Sequence, residues 1–497
     1  MTEGTDPDRI AEVRNALVAA GGIDAAIPLL QQCAARSDVA ALVTLVEASA
    51  GLGDLAPVVR EALYLLHQVF PVPVTREAVA RLASLTPDTE AVQNDLGFVL
   101  HASGDPEGAG RAFGRAAALL EERVSRHPLA STGLRIIHPS WLIGSLGEAV
   151  ARLGIIAKLR TLGMMAPWRL VLPAPREKIV NEPLIDLFAS HVTVVKEGDL
   201  LAKFQALAPD LALDTSSLPL VDGRFLYVHD AWRESERAWA EAGRGPLLAL
   251  PPERIAAGRA RLVEAGLPAD AWFAALHVRD PGFHGAGEGR RRLDLAARDS
   301  DLATYLPAVE RVTARGGWVV RLGGPAALAL PPMPRVVDYA HSDVRSPELD
   351  VVLLASARLM IGTLSGPAHV ASCFATPTIH TNGFPSNLVP TRHDIWLPKL
   401  YRERASGRIL SLAESISAPF RGEIRGSGFD DHGIDLVDNT AGDLADAADE
   451  MLDRLEGRGP VDDPAVREVF RQTSNVYIAP ISARFLARHR SALLGSR

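Results

Sequence analysis

Cysteine is almost absent from this chain. Only Cys33 and Cys373 occur, far apart, so a disulfide framework is not expected and both read as small core residues. Aromatic residues are few, at 5%. No apolar run reaches the roughly 18 residues that a membrane span needs. The amino-terminal MTEGTDPDRI is acidic and lacks the basic and apolar regions of a signal peptide, which makes the cytoplasm the expected location. Positive charge is not in excess: the formal net charge is -8 and the pI is near 6.0, which disfavours nucleic acid as a partner. HExxH, CxxC, P-loop and GxSxG motifs are missing, and no GxGxxG follows a strand. No metal site is expected.

What is present is a soluble, globular composition, with 47% hydrophobic and 23% charged residues. A length of 497 residues exceeds one ordinary core and predicts two to four domains. The first part is helical. Ile10 to Ala20, Ile23 to Ala35, Ala40 to Ala50 and Leu55 to Val69 carry apolar residues at helical spacing, broken by Gly21-Gly22, Gly51, Gly53 and Pro71. In NDLGFVLHASGDPEGAGRAFGRAAALLEE, Leu96, Gly97, Leu100, Gly104, Ala109, Phe113 and Ala116 stand at the offsets of a tetratricopeptide repeat (TPR). Gly97 and Ala109 would let two helices approach, Leu100 and Phe113 would fill the space between them, and Asp105 would cap the second helix with Pro106 at its start. A plain helical bundle is the alternative.

After His127-Pro128 strands alternate with helices, which predicts parallel sheets. Leu134 to His138, Arg169 to Pro173 and His191 to Val195 read as strands of a first lobe. Leu200 to Ala271 shows no clear period, and Pro251-Pro252 suits a crossing between lobes. A second lobe follows, with strands at Trp272 to Arg279, Gly317 to Gly323, Arg335 to Asp338, Arg358 to Gly362 and Thr376 to Thr381, the last closing the sheet. The expected organisation is α/β: a helical repeat region over 1–128, two Rossmann-like lobes over 129–255 and 256–425, and a helical tail over 426–497. Tail helices at Asp443 to Leu455 and Pro464 to Thr473 would suit a return to brace the first lobe. Ligands of open α/β sheets sit outside the carboxyl ends of the strands.

The residues able to carry chemistry end those strands. His277 and Arg279 share one side of a strand, where a guanidinium fork suits phosphate and an imidazole can donate a hydrogen bond or pack on a base. A structural pair of Arg279 with Asp280 is the alternative. Thr363, Ser365 and Gly366 join a strand to a helix start, a natural cradle for a diphosphate, although Ser365 could simply cap that helix. The loop from Asp338 to Arg345 offers Asp338, His341 and Asp343 toward a base or ribose, or is merely a solvated connector. Arg321 is a further phosphate candidate, or a surface ion pair. The loop from Asp280 to Arg298, with Arg290-Arg291-Arg292 and His284, has the composition of a flap over an anionic ligand.

LHVRDPGFHG, ATYLPAVERVTARGGWVVRLGG, PPMPRVVDYAHSDVRSPELDVVLLASARLMIGTLSGPAHVAS and RHDIWLPKL together resemble a bacterial family of predicted glycosyltransferases often found with tetratricopeptide repeats. The HxR strand is similar to that of fucosyltransferases of the two-lobed type B fold (GT-B). The resemblance implies a nucleotide-sugar co-substrate, with Arg279 on the diphosphate, His277 and an aspartate of the 338–343 loop facing the nucleoside, and Thr363, Ser365 and Gly366 lining the phosphates. Asp280 follows Arg279 at once and Pro281-Gly282 turns the chain, a departure from the fucosyltransferase pattern that weighs against GDP-fucose. The implied activity is an inverting, metal-independent glycosyl transfer to a protein or cell-envelope glycan, with His138 or Glu148 as candidate catalytic base. A protein acceptor would dock on the helical repeats. A non-catalytic scaffold and a sugar epimerase using the same cleft are the competing readings.

Overall fold

The structure is a computed structural model. It describes residues 7–69, 72–102, 105–138, 142–281, 294–324, 326–386, 391–417, 419–459, 462–473, 475 and 477–495. The chain divides into two compact units, residues 1–133 with 210–231 and residues 134–209 with 232–497.

The first unit is built on helices Pro7–Ala19, Ala26–Ala35, Val39–Ser49, Ala56–Val69, Val72–Ala83, Glu90–Ala102 and Pro106–Ser125. Apolar residues three and four apart, such as Leu42, Leu45 and Val46, or Val59, Leu63 and Leu66, turn one stripe of each helix into a shared core. The last two helices form a hairpin. Asp105 accepts a 2.8 Å hydrogen bond from the Gly108 N–H and a proline stands in the first turn, the local chemistry that starts this helix. A Cβ at Gly97 would lie 2.8 Å from the Phe113 ring, so only glycine permits this approach. Ala109 and Phe113 are fully buried. Gly104 and Pro71, expected at chain turns, lie outside the described residues.

The stretch without clear period contributes to this unit. Strands Ser217–Pro219 and Phe225–Tyr227 form an antiparallel pair, and Tyr227 stacks on Phe113 with centroids 4.6 Å apart and planes 4° from parallel. The His229 ring stacks on His101 at 5.1 Å. Four rings therefore anchor 210–231 to the hairpin.

In the second unit, Thr193–Val195, Arg169–Pro173 and Leu134–Ile137 pair in parallel. The other sheet has six parallel strands in the order Ile395–Pro398, Thr378–Gly383, Leu359–Thr363, Phe273–His277, Trp318–Leu322 and Val336–Val337. The chain first builds outward from Phe273–His277, then returns to place Leu359–Thr363 on its other side. Strand order thus reverses between those two strands.

Two expectations need correction here. Thr378–Gly383 does not close the sheet, because Ile395–Pro398 pairs beyond it. Asp394, fully buried, secures that edge by accepting from the Thr378 N–H at 2.9 Å, and its other oxygen lies 2.9 Å from His380 Nε2. The tail helices do not brace the first lobe. Ala441–Leu455, Pro464–Gln472 and Ala483–Leu494 share one core with the six-stranded sheet, where Leu444, Met451, Phe470 and Phe485 meet Ala274, Leu276, Val319 and Ile379. The Ser482 N–H donates to the Trp396 carbonyl at 2.9 Å, which ties the last helix to the edge strand. Among the described residues no single helix is long and apolar enough to cross a membrane.

Candidate functional site

Strand order reverses between Phe273–His277 and Leu359–Thr363, and in open α/β sheets such a point places a crevice outside the carboxyl ends of the two strands. The two strands are close here. A Cβ at Gly362 would lie 2.5 Å from the His277 carbonyl oxygen, so glycine is required for the approach. The Arg279 N–H donates to Thr363 Oγ1 at 3.1 Å, locking the two strand ends in register.

Ser365 does not cap the helix Gly366–Cys373. Its hydroxyl donates to the Thr363 carbonyl at 3.1 Å, and the same oxygen lies 3.0 Å from His277 Nδ1. A hydroxyl has a single proton. With that proton on Thr363, His277 must donate from Nδ1, and its Nε2 carries a lone pair. Burial, with Arg321 and Arg279 nearby, pushes the imidazole down from 6.5 to about 4, so the ring is neutral at pH 7. The imidazole, expected as a donor to ligand, therefore offers an acceptor at Nε2. Its one donor is spent inside the protein.

Arg279 is nearly buried, and its Nε donates to Asp299 at 3.1 Å. The Ser300 N–H donates to the Arg279 carbonyl at 2.9 Å, which brings the end of the Gly- and Arg-rich loop back against the strand. That return carries Arg298 into the site. Burial lowers the Arg298 guanidinium to about 10, repulsion from Arg279 adds to this, and Glu148 and Asp299 oppose it. Arg298 makes no side-chain hydrogen bond or ion pair among the described residues. Two guanidinium groups are thus held close in a poorly solvated place, with Asp299 and Glu148 as the carboxylates that oppose their repulsion. In the sequence Arg298 marks only the end of that loop.

The first lobe meets the second at this point. A Cβ at Gly366 would lie 2.9 Å from the Gly147 nitrogen, so the starts of helices Leu146–Thr161 and Gly366–Cys373 abut. Each helix start carries partial positive charge. Glu148, in the first turn of its helix, keeps a half-exposed carboxylate 3.6 Å from Arg152. His277, Arg279, Thr363, Ser365, Gly366 and Glu148 are therefore brought together, with Arg298 added. His369, on the second of these helices, packs against Trp232 with centroids 5.4 Å apart, and burial holds it at about 4.

The remaining candidates gather one strand away. Arg321 is fully buried, 3.4 Å from Asp280 and 3.4 Å from Asp338. It is neither a surface ion pair nor open to a phosphate. Asp338 also accepts from the Leu330 N–H at 3.1 Å and lies 2.9 Å from His341 Nδ1, while Asp280 accepts from the Leu328 N–H at 3.0 Å. These groups hold one another and shape the loop. Asp343 and His341 are exposed at its rim. His138 is exposed at the end of the Leu134–Ile137 strand, with no described contact to the crevice. His284 and Arg290-Arg291-Arg292 lie outside the described residues. Among the described residues, no group of three or more His, Cys, Asp or Glu could hold a metal ion.

No model of a known protein family matches the chain, and no curated protein matches it. Solved structures similar to it include the Escherichia coli ADP-heptose lipopolysaccharide heptosyltransferase II, at 14% identity over 54% of this chain and 90% of that one, with a TM-score of 0.33. A glycosyltransferase of family 9 from Veillonella parvula matches at 12% identity over 64% and 97%, with a TM-score of 0.34. The iron-containing dodecameric glycosyltransferase TibC from enterotoxigenic E. coli matches at 12% identity over 65% and 76%, with a TM-score of 0.32.

Proposed function

We propose that the sheet-bearing unit is a glycosyltransferase of the two-lobed type B arrangement, using a nucleotide-diphosphate sugar bound at the crevice beside His277 and Thr363. The observation that carries this reading is the closeness of Arg279 to Arg298, which has no side-chain hydrogen bond or ion pair among the described residues, beside a helix start that no side chain caps. Such a place stabilises a diphosphate, and stabilises it more as negative charge develops on the leaving oxygen. The Nε2 lone pair of His277 accepts a hydroxyl or amide proton of the donor, and Asp343 and His341 stand at the nucleoside side. The bond from the anomeric carbon to the diphosphate oxygen breaks while an acceptor oxygen bonds to the same carbon. The acceptor's proton passes to a base, for which Glu148 is the carboxylate at the crevice. A single displacement of this kind inverts the anomeric centre.

The reaction as proposed uses guanidinium groups and helix dipoles where other enzymes use a divalent ion. The acceptor is a protein or a cell-envelope glycan, with the helical unit as its docking element. The test is hydrolysis or transfer from a panel of UDP-, GDP-, ADP-, CMP- and dTDP-sugars, with Arg279→Ala and Arg298→Ala as controls. Turnover of at least one donor, lost in both variants, is expected. A chain that turns over none, or variants that act like wild type, would overturn the proposal.

A further inference from the structure

The helical unit carries a groove of about 660 Å³ between helices Ala56–Val69 and Glu90–Ala102. That volume suits a ligand of several side chains. Two large rings stand at it in water, Tyr64 with 59% and Phe98 with 45% of their surface exposed. Phe98 is braced edge-on against Phe113, with centroids 5.0 Å apart and planes at 82°, so it is a fixed surface and not a loose side chain. The polar lining is acidic. Asp54, Glu61 and Asp95 line the groove against a single guanidinium, Arg60, which is already paired with Asp95. Among the described residues Glu61 has only the neutral Gln31 amide as its partner.

Exposed rings set among under-compensated carboxylates match one side-chain chemistry: a cation on an apolar stem, which packs on the ring faces while its charge meets the carboxylates. The same acidity repels nucleic acid and anionic lipid. We infer that this groove binds an extended polypeptide segment in which lysine or arginine alternates with apolar residues. The site lies wholly in the helical unit and stands whether or not the sheet-bearing unit transfers sugar.

The full chain is titrated into a fluorescein-labelled decapeptide of alternating Lys and Leu, with a Glu and Leu counterpart and a neutral oligosaccharide as parallel arms. The Lys and Leu peptide is expected to bind, the acidic one to bind at least tenfold more weakly, and added salt to weaken the complex. Tyr64→Ala and Glu61→Lys should each cost about tenfold or more in affinity. Both positions are outside the buried core, so an unchanged thermal midpoint is expected and separates lost binding from lost folding. No binding of the basic peptide, equal binding of the acidic one, preference for the oligosaccharide, or affinity unchanged in both variants would overturn the inference. None of these arms contains a sugar donor, so their failure is distinct from failure of glycosyl transfer.

Discussion

Substituting Gly362 with alanine should damage the crevice from inside the sheet. The added Cβ would sit 2.5 Å from the His277 carbonyl oxygen, a backbone atom that cannot swing aside. The strands must separate by about 0.5–1 Å to restore van der Waals distance, and overpacking of this kind costs about 1–3 kcal/mol. The same displacement stretches the bonds that join the strand ends, from Arg279 N to Thr363 Oγ1 at 3.1 Å and between His277 and Ser365 at 3.0 Å. Each contributes about 1 kcal/mol. Urea unfolding of Gly362→Ala should therefore show a loss of roughly 2–4 kcal/mol, with nucleotide affinity falling about tenfold or more. Gly383→Ala, on the neighbouring strand, is the control, because its Cβ would meet Trp396 at an ordinary 3.8 Å. A Gly362→Ala chain with wild-type unfolding and wild-type affinity would refute the reasoning.

In the helical unit, Phe113→Ala removes a fully buried ring that supports Gly97, Phe98 and Tyr227. A loss of about 3–5 kcal/mol is expected by chemical denaturation, and Gly97→Val should also destabilise by overpacking. His277 and His369 each sit at about 4 in the folded chain against an ordinary 6.5. The unfolded chain binds more protons between those values, so stability present above pH 6.5 should be lost as pH falls toward 4, and the double variant His277→Gln, His369→Gln should flatten that slope. Glycosyl transfer, measured with and without a chelator, should persist after chelation if the guanidinium groups carry the charge.

Much of this was legible because it is local. The Asp105 cap, the glycine at 97 and the strand–turn–helix around Thr363 are short-range patterns, and each strand end announced its polar residues. Non-local pairing was not legible. Nothing in the run Ile395 to Pro398, preceded by Arg392, His393 and Asp394, shows that buried Asp394 will fasten it as a sixth strand. The amphipathic tail helices have an apolar face but no mark of which sheet it covers. Arg321 alternates correctly on its strand, yet its burial depends on Asp280 and Asp338, which are distant in sequence. Arg298 was hidden for the same reason, since loop composition does not say where a loop closes. Residues 210–231 join the helical unit through contacts such as Tyr227 on Phe113 and His229 on His101, partners more than 100 residues away that no local pattern marks.

The most direct test is calorimetric titration of nucleoside diphosphates into the wild-type chain, Arg279→Ala, Arg298→Ala and Arg261→Ala, whose exposed guanidinium pairs with Glu264 in its own helix. At least one diphosphate should bind the wild type. Both crevice substitutions should weaken it about tenfold or more, and Arg261→Ala should leave it unchanged. Failure of every diphosphate to bind, or equal affinity in all four proteins, would contradict a diphosphate site at this crevice.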